Sequence, residues 1–183
     1  MHDDAARWDD RYRSASSPDP LAPEPLDTRT DLLGVLPATG VAIDIACGIG
    51  RQSLWLAQRG LDVVALDVSP IAIEALRTAA AEAGLAERIE ARPVDLDGGL
   101  PTDPQTADVI LCQRFRQPSI YPQVAERLRT GGIAIITVLS EVGAESPGPF
   151  HAPSGELATE FAGFDVLYAH EGGGVATIVA RRR

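Results

Sequence analysis

Short apolar runs alternate with amphipathic segments along most of the 183-residue chain. The runs are uninterrupted rather than alternating in polarity, which is typical of strands whose two faces are both covered. They lie at residues 41–46, 62–68, 107–112, 132–139 and 175–180, with a weaker run at 89–94. The pattern therefore predicts a buried β-sheet.

Helical patterns fill the spaces between most of these runs. They predict helices over residues 26–36, 51–59, 70–83 and about 119–129. The third is also marked by its ends, because Ser69 suits the cap position, Pro70 the first helical position and Gly84 the stop. A strand followed by a helix, repeated, predicts a parallel sheet with helices on both faces.

The end of the chain departs from this alternation. Apolar segments at 164–170 and 175–181 are separated by only Glu-Gly-Gly-Gly, whereas a parallel connection needs about a dozen residues or more. We therefore expect an antiparallel hairpin there. The predicted fold class is α/β, with a seven-stranded, mostly parallel sheet and one antiparallel strand near its edge. Residues 1–25 are predicted to be an N-terminal cap or linker segment, and 26–183 a single domain.

The charge balance narrows the classes of partner. The chain has 26 acidic and 16 basic residues, for a net charge of −10, and its only basic run is 181–183. Phosphate contacts need clustered Lys and Arg, so no nucleic-acid-binding face is expected. The first residues have no apolar core and no run approaches membrane-spanning length, so we expect a soluble cytoplasmic protein with no membrane partner.

Cysteines and histidines predict neither a disulfide nor a metal site. Cys47 and Cys112 lie far apart in unlike contexts, as in proteins of a reducing compartment. His2, His151 and His170 are isolated and lack the spacing of metal ligands. Cys47 follows a strand and precedes a helix, where thiolates are favoured, but a small buried residue that packs is the preferred interpretation.

A glycine-rich turn follows the first predicted strand. Gly48 and Gly50 can adopt positive φ and let a ligand approach the backbone, and the next helix offers unpaired N–H groups. Asp67 ends the second strand, 17 residues after Gly50. A carboxylate at this place accepts two hydrogen bonds from a ribose diol.

Two residues separate a dinucleotide site from another adenosyl site. A pyrophosphate fingerprint requires a third glycine where this chain has Ser53. Asp44 lies inside the first strand, where a lone acid is costly unless it is paired or caps structure locally. An acid there suits a ligand with a positive amino group. Ribose, adenine and an ammonium group occur together in S-adenosylmethionine.

The segment "AIDIACGIGRQSLWLAQRGLDVVALDVSPIAIEAL" resembles the cofactor-binding core of class I S-adenosylmethionine-dependent methyltransferases. Within them the chain is most similar to small tellurite-resistance-type (TehB-like) bacterial enzymes. "RWDDRYRS" resembles that group's N-terminal segment, "TADVILCQRF" its fourth strand and "LRTGGIAIIT" its turn into strand five. The resemblance implies a Rossmann-like three-layer sandwich and S-adenosyl-L-methionine as the cofactor.

The same resemblance implies which residues surround the methionine part of the cofactor. Asp44, Ala46, Gly48 and Gly50 are expected around it. Gln113, at the end of strand four, is expected near the methionine carboxylate and the reacting centre.

The adenosyl part is expected to meet a second group. The resemblance implies that Asp67 binds the ribose and that Val68 and Ser69 flank the adenine. Asp95 is expected to accept from the adenine amino group, with Leu96 packing on the ring. Asp95 competes with Asp97 for this role, and either acid can instead shape the turn.

The acceptor side is less defined, and no catalytic residue is identified. Trp8 and Tyr12 suit either a cap over the cofactor or a frayed N-terminal helix. Arg114 suits an anionic acceptor, the cofactor carboxylate or plain solvent. His151 lies in the long loop 141–155, which is expected to shape an acceptor pocket.

The expected function is direct in-line transfer of a methyl group to a small-molecule acceptor by a monomer or homodimer. The fourth strand reads Cys-Gln-Arg-Phe and lacks the Asn-Pro-Pro-aromatic pattern associated with methylation of bases or protein glutamine. An NAD(P)-dependent Rossmann oxidoreductase and a non-catalytic S-adenosylmethionine-binding module are the alternatives.

Overall fold

The fold is a seven-stranded β-sheet with short helices between its strands. The structure is a computed structural model and describes residues 2–14 and 34–183. The strands are β1 Gly40–Ile45, β2 Leu61–Asp67, β3 Ile89–Pro93, β4 Ala107–Gln113, β5 Leu128–Leu139, β6 Asp165–Gly172 and β7 Val175–Arg181. Their order in the sheet is β3-β2-β1-β4-β5-β7-β6.

The helices are α1 His2–Ser14, α2 Arg51–Gln58, α3 Pro70–Glu82, α4 Tyr121–Arg127 and α5 Glu156–Glu160. Short 3₁₀ turns lie at Ala86–Arg88, Leu96–Gly98 and Pro118–Ile120. Among the helices of residues 2–14 and 34–183, none has the length and apolar character needed to cross a membrane.

The chain divides into two compact units at Pro101 and Thr102. In the first, β1 pairs in parallel with β2, and β2 with β3. These strands are buried because their side chains are apolar on both faces, as at Ile43, Val63 and Leu66. The parallel order places the carboxyl ends of β1 and β2 at the same edge, so the residues that follow these strands are neighbours.

In the second unit, β4 pairs in parallel with β5, while β7 runs antiparallel to both β5 and β6. The Thr137 and Thr177 hydroxyl oxygens lie 3.1 Å apart across the β5–β7 pair. The reversed strand is therefore β7, next to the edge strand β6. The predicted fold class, including the C-terminal hairpin, is confirmed.

Two elements differ from the sequence predictions. The helix expected at about 119–129 begins as a 3₁₀ turn and ends at Arg127, because β5 starts earlier, at Leu128. Helix α5 was not predicted, because five residues are too few to show a helical period. The helix expected at 26–36 lies largely outside the described residues.

Candidate functional site

Asp44 is a buried acid near the carboxyl end of β1. Its side chain lies in a residue that is 3% exposed, and Oδ2 accepts a 2.5 Å hydrogen bond from the Ser53 hydroxyl on α2. Burial raises the pKa of Asp44 to about 7; the Ser53 hydrogen bond opposes this rise and the charge of Asp67 adds to it. Near neutral pH this carboxyl group is therefore partly protonated when no cation lies beside it.

Asp67 ends β2 and holds two backbone segments together. Its Oδ2 accepts from the Gly48 N–H at 2.8 Å, and its Oδ1 accepts from the Ser69 N–H at 2.9 Å. Burial raises the pKa of Asp67, these backbone donors lower it and the charge of Asp9 raises it. One carboxylate thus joins the glycine turn to the start of α3, with its remaining lone pairs unused by these two donors.

The turn after β1 needs glycine for reasons of packing as well as conformation. Gly48 and Gly50 have φ of 55° and 81°, in the left-handed region. A Cβ at Gly50 would lie 2.3 Å from Leu76 Cδ1, so α3 occupies the space that a side chain would fill. A Cβ at Gly48 would lie 2.9 Å from the Tyr12 hydroxyl. Ala46, which also has a positive φ of 55°, starts the turn.

Helix α1 lies against this part of the first unit. Residues Trp8, Asp9 and Tyr12 are partly buried, whereas Asp10 is exposed on another side of the helix. The Trp8 and Tyr12 rings stack with their centroids 5.8 Å apart. Asp9 accepts a hydrogen bond from the Ser69 hydroxyl. The N-terminal segment is therefore helical over residues 2–14, and its contact with a cofactor stays a prediction.

Ser69 and its neighbours combine structural and candidate binding roles. Ser69 is fully buried and caps α3, because its hydroxyl oxygen accepts from the Ala72 N–H at 3.2 Å. Val68, beside it, is partly buried. The expected contact of these residues with adenine stays a prediction.

The predicted adenine acceptor sits on a turn after β3. Asp95 is exposed, and its Oδ1 accepts from the Asp97 N–H at 3.0 Å, so it caps the 3₁₀ turn Leu96–Gly98. Leu96 itself is 5% exposed. The structure thus shows the turn-shaping role for Asp95, and its contact with a ligand stays a prediction.

Cys47 has the character of a packed residue. Its thiol is buried and donates weakly to the Gly48 carbonyl oxygen at 3.4 Å. Burial, followed by the charges of Asp44 and Asp67, raises the pKa of the Cys47 thiol well above its usual range. A protonated thiol is a poor nucleophile.

Gln113 ends β4 in the second unit, and Arg114 follows it. The Gln113 Nε2 amide is buried and has no hydrogen-bond partner among the described residues, which is costly unless a ligand or water satisfies it. Arg114 is exposed and has a positive φ of 58°, and its N–H donates to the Thr137 carbonyl at 2.7 Å.

A polar cluster, formed by Arg116, Tyr121 and Glu156, lies in the same unit. The Arg116 guanidinium donates to both oxygens of Glu156, through Nε at 2.9 and 3.1 Å and again through Nη2. The Tyr121 hydroxyl donates to Glu156 Oε1 at 3.2 Å. Burial and the Glu156 charge raise the pKa of Tyr121. This cluster joins the segment after β4 to α5.

His151 helps to shape the long loop after β5. Its Nδ1 accepts from the Gly148 N–H at 2.9 Å, so the imidazole closes a tight turn. The base of the loop is closed by two backbone bonds, from the Ala152 N–H to the Leu139 carbonyl at 2.7 Å and from the Glu141 N–H to the Ala152 carbonyl at 3.0 Å. A role of His151 in binding an acceptor stays a prediction.

Three features of these sites escaped the sequence analysis. The sequence shows Ser53 only as the residue that replaces the third glycine of a pyrophosphate fingerprint. Its place in the first turn of α2 directs its hydroxyl to Asp44. Asp9 resembled any acid of a surface helix, and its partner Ser69 is 60 residues away. The polar cluster also joins residues 40 apart in sequence, which no local pattern signals.

A family model described as "Methyltransferase domain" matches residues 42–132. This range holds most of β1, all of β2 to β4 and the start of β5, together with both buried acids.

Solved structures of methyltransferases share the fold. TehB from Haemophilus influenzae is 22% identical with a TM-score of 0.72, over 87% of this chain and 64% of that one. A S-adenosylmethionine-dependent methyltransferase from Methanosarcina mazei is 21% identical with a TM-score of 0.67, over 86% and 99% of the two chains. Geranyl diphosphate C-methyltransferase from Streptomyces coelicolor A3(2), solved with S-adenosyl-L-homocysteine, is 12% identical with a TM-score of 0.69, over 84% and 77%. This chain therefore spans about two thirds of the length of TehB.

Proposed function

We propose, from the premise that this chain belongs to the S-adenosylmethionine-dependent methyltransferases, that it transfers a methyl group to a small-molecule acceptor. The observation that carries the proposal is the pair of buried acids, Asp44 and Asp67, at the carboxyl ends of adjacent parallel strands. Within the described residues, neither has an ion-pair partner that would explain its burial.

The chemistry of this donor set fits the cofactor. A buried carboxylate without a cation is costly, and an ammonium group beside Asp44 would remove that cost. Asp67 has lone pairs left over after accepting from Gly48 and Ser69, and these suit the two hydroxyls of a ribose. Asp44 and Asp67 therefore would bind the amino group and the ribose hydroxyls of one S-adenosyl ligand.

The bound cofactor supplies an electrophilic methyl group on a sulfonium, so the hard chemistry belongs to the cofactor. The residues of the chain bind, orient and exclude water, and positioning of this kind is worth about 7–11 kcal/mol in favourable cases. Asp44 loses its proton when a cation pairs with it, because its pKa of about 7 then falls. A general base is required only for an acceptor that must lose a proton.

The acceptor is proposed to be a small molecule. The net charge of −10 disfavours a polyanionic acceptor. Arg116 is already engaged by both oxygens of Glu156, so it is not expected to bind a small anion. The same proposal includes that residues 26–183 act as one catalytic domain. It also includes that the protein is cytoplasmic and is a monomer or a homodimer.

Calorimetry of the purified chain with S-adenosylmethionine and S-adenosylhomocysteine tests the cofactor part. Absence of heat at millimolar ligand would contradict the proposal, and quenching of reduced nicotinamide fluorescence would favour an oxidoreductase. Methyl transfer from labelled cofactor across thiol, hydroxyl, amine, selenium and tellurium acceptors tests the reaction. Binding without transfer to any of them would favour a non-catalytic module.

A further inference from the structure

We infer that helix α1 is a latched lid over the ribose-binding acid, and that Asp9 is the positioning residue that sets how fast the cofactor enters and leaves. The inference rests on the proposed function, since it concerns access to Asp67. Its latch is a property of the ligand-free chain, however, and can be measured without any ligand.

The first half of the latch is the contact between Asp9 and Ser69. The Ser69 hydroxyl, in a residue with no exposed surface, donates to Asp9 Oδ1. The Asp9 side chain is 17% exposed, so this charged hydrogen bond is largely shielded from water. Hydrogen bonds to charged groups are stronger than neutral ones, and the lower dielectric away from water strengthens them further.

The second half is the contact between Tyr12 and Gly48. The Tyr12 hydroxyl lies so near to Gly48 that a Cβ there would be 2.9 Å away from it. Burial and the charges of Asp67 and Cys47 raise the pKa of Tyr12, so its hydroxyl keeps its proton. Trp8 stacks on Tyr12 one turn earlier and adds apolar contact on the same face of α1.

The two contacts bracket Asp67. Gly48 and Ser69 are the residues whose N–H groups donate to its two oxygens, and each is contacted by one residue of α1. Asp9 and Tyr12 are three positions apart, so they share one face of the helix. Asp67 is 5% exposed in this arrangement, and a ribose diol cannot reach so buried a carboxylate until an element that covers it moves.

The charges make this latch responsive to a cation. The Asp9 carboxylate raises the pKa of Asp67, so the closed helix brings two like charges together, and Arg13, 4.0 Å from Asp9, offsets part of their repulsion. A ligand that carries a positive charge near these acids relieves the repulsion, and it therefore favours closure once it has entered. Such a ligand therefore tightens a lid that the hydrogen bond between Asp9 and Ser69 already holds closed.

Hydrogen exchange of the ligand-free chain tests the latch directly. Asp9→Ala removes the acceptor, so amides of α1 should exchange about tenfold faster than in the wild type, which corresponds to about 1.4 kcal/mol. Asp9→Asn keeps an acceptor oxygen and should restore part of the protection. Asp10→Ala is the matched control for loss of a carboxylate from this helix: Asp10 is exposed and, like Asp9, lies within ion-pair distance of Arg13, but the hydrogen bond from Ser69 goes to Asp9. Equal exchange in Asp9→Ala and Asp10→Ala would overturn the latch.

Stopped-flow mixing with S-adenosylhomocysteine tests the gate. Trp8 reports on α1, and Trp55→Phe removes the only other tryptophan of the chain. In that background the observed rate should reach a plateau with rising ligand, set by opening of the lid. Asp9→Ala should raise both the plateau and the dissociation rate about tenfold, and Asp10→Ala should change neither.

A rate that rises linearly with ligand and is the same in the Asp9→Ala variant would overturn the gate. Failure of the wild type to bind S-adenosylhomocysteine would instead overturn the proposed function. The exchange measurement uses no ligand and still decides in that case whether the latch exists, so the two failures are distinguishable.

Discussion

Asp44 shows what a buried acid costs when it lacks a cation. Its pKa is about 7 in the folded chain and near the ordinary value of 3.8 when unfolded. Between these values the folded chain binds more protons than the unfolded one, so stability falls as pH rises from about 4 to about 7. Above pH 7 the penalty is complete, at up to about 4 kcal/mol.

We predict that Asp44→Asn stabilises the ligand-free chain at pH 8, by about 1–3 kcal/mol, because an amide avoids the buried charge and can still accept from Ser53. At pH 4 the stability of the variant should match that of the wild type. Urea unfolding at the two pH values measures the difference. Asp62→Asn, at an exposed acid paired with Arg88, is the control and should change little. Destabilisation at pH 8 would mean that the charge is favourable in the free protein.

Protonation of Asp44 should also make ligand affinity depend on pH. We predict that affinity for S-adenosylmethionine weakens about tenfold for each pH unit below 7, because the ammonium group pairs only with the ionised form of Asp44. The Asp44→Asn variant should bind more weakly at pH 8 and show a flat profile between pH 5 and 7. Calorimetry in buffers of different ionisation enthalpy counts the protons released. A flat profile in the wild type would contradict the pairing.

Asp67 gives the second prediction of affinity at this scale. Asp67→Ala should weaken S-adenosylhomocysteine binding by about 2–3 kcal/mol, since it removes the acceptor of two ribose hydroxyls. It also frees the N–H groups of Gly48 and Ser69, so circular dichroism must first show that the variant is folded. Asp95→Ala, at the exposed turn, should cost less. Unchanged affinity in folded Asp67→Ala would rule out the ribose assignment.

At the scale of elements, α3 owes its position to the glycine turn. Leu76 is fully buried and lies where a side chain of residue 50 would be, so this turn and this helix fit together only through a glycine. The cap at Ser69 and the hydrogen bonds to Asp67 fix the first turn of the same helix. The docking of α3 against the glycine turn therefore also sets the geometry of the candidate ribose site.

We predict that Gly50→Ala destabilises the chain by about 2–4 kcal/mol, from left-handed strain and from collision with Leu76. Leu76→Ala should cost about 2–5 kcal/mol. The double variant should cost less than the two together, because the truncated side chain makes room. Gly84→Ala is the control for strain alone, since Gly84 has a φ of 68° and open space around it. Additive losses would show that the two residues do not collide.

At the scale of the whole molecule, the net charge of −10 creates a field that favours cations. S-adenosylmethionine carries one more positive charge than S-adenosylhomocysteine. We predict that raising salt from about 20 to about 500 mM weakens binding of the first several-fold and leaves the second nearly unchanged, because added ions screen the field. Calorimetric titrations of both ligands provide the comparison, and equal salt dependence would contradict it.

The sequence predicted the sheet because its strands are uninterrupted apolar runs, and it predicted the reversed strand because four residues cannot make a parallel crossover. Both are local properties of the chain. The Asp9–Ser69 latch joins residues 60 apart and depends on how α1 docks, which no local pattern encodes. Ser53 and Asp44 are nearer in sequence, yet their contact depends on the direction of α2 after a left-handed turn.

The loop after β5 is closed at its base by the backbone bonds between Leu139, Glu141 and Ala152. Beyond it, the polar cluster fixes Glu156 at the start of α5. Within the loop, the Val142 carbonyl accepts from the Gly174 N–H at 2.9 Å, and a Cβ at Gly143 would lie 2.7 Å from Gly173 N, so this part is constrained. Residues 145–150 are exposed between the anchored ends, and their sequence can vary with less effect on the fold. Substitutions in this exposed segment could therefore change the chemistry that the loop presents while the fold stays the same.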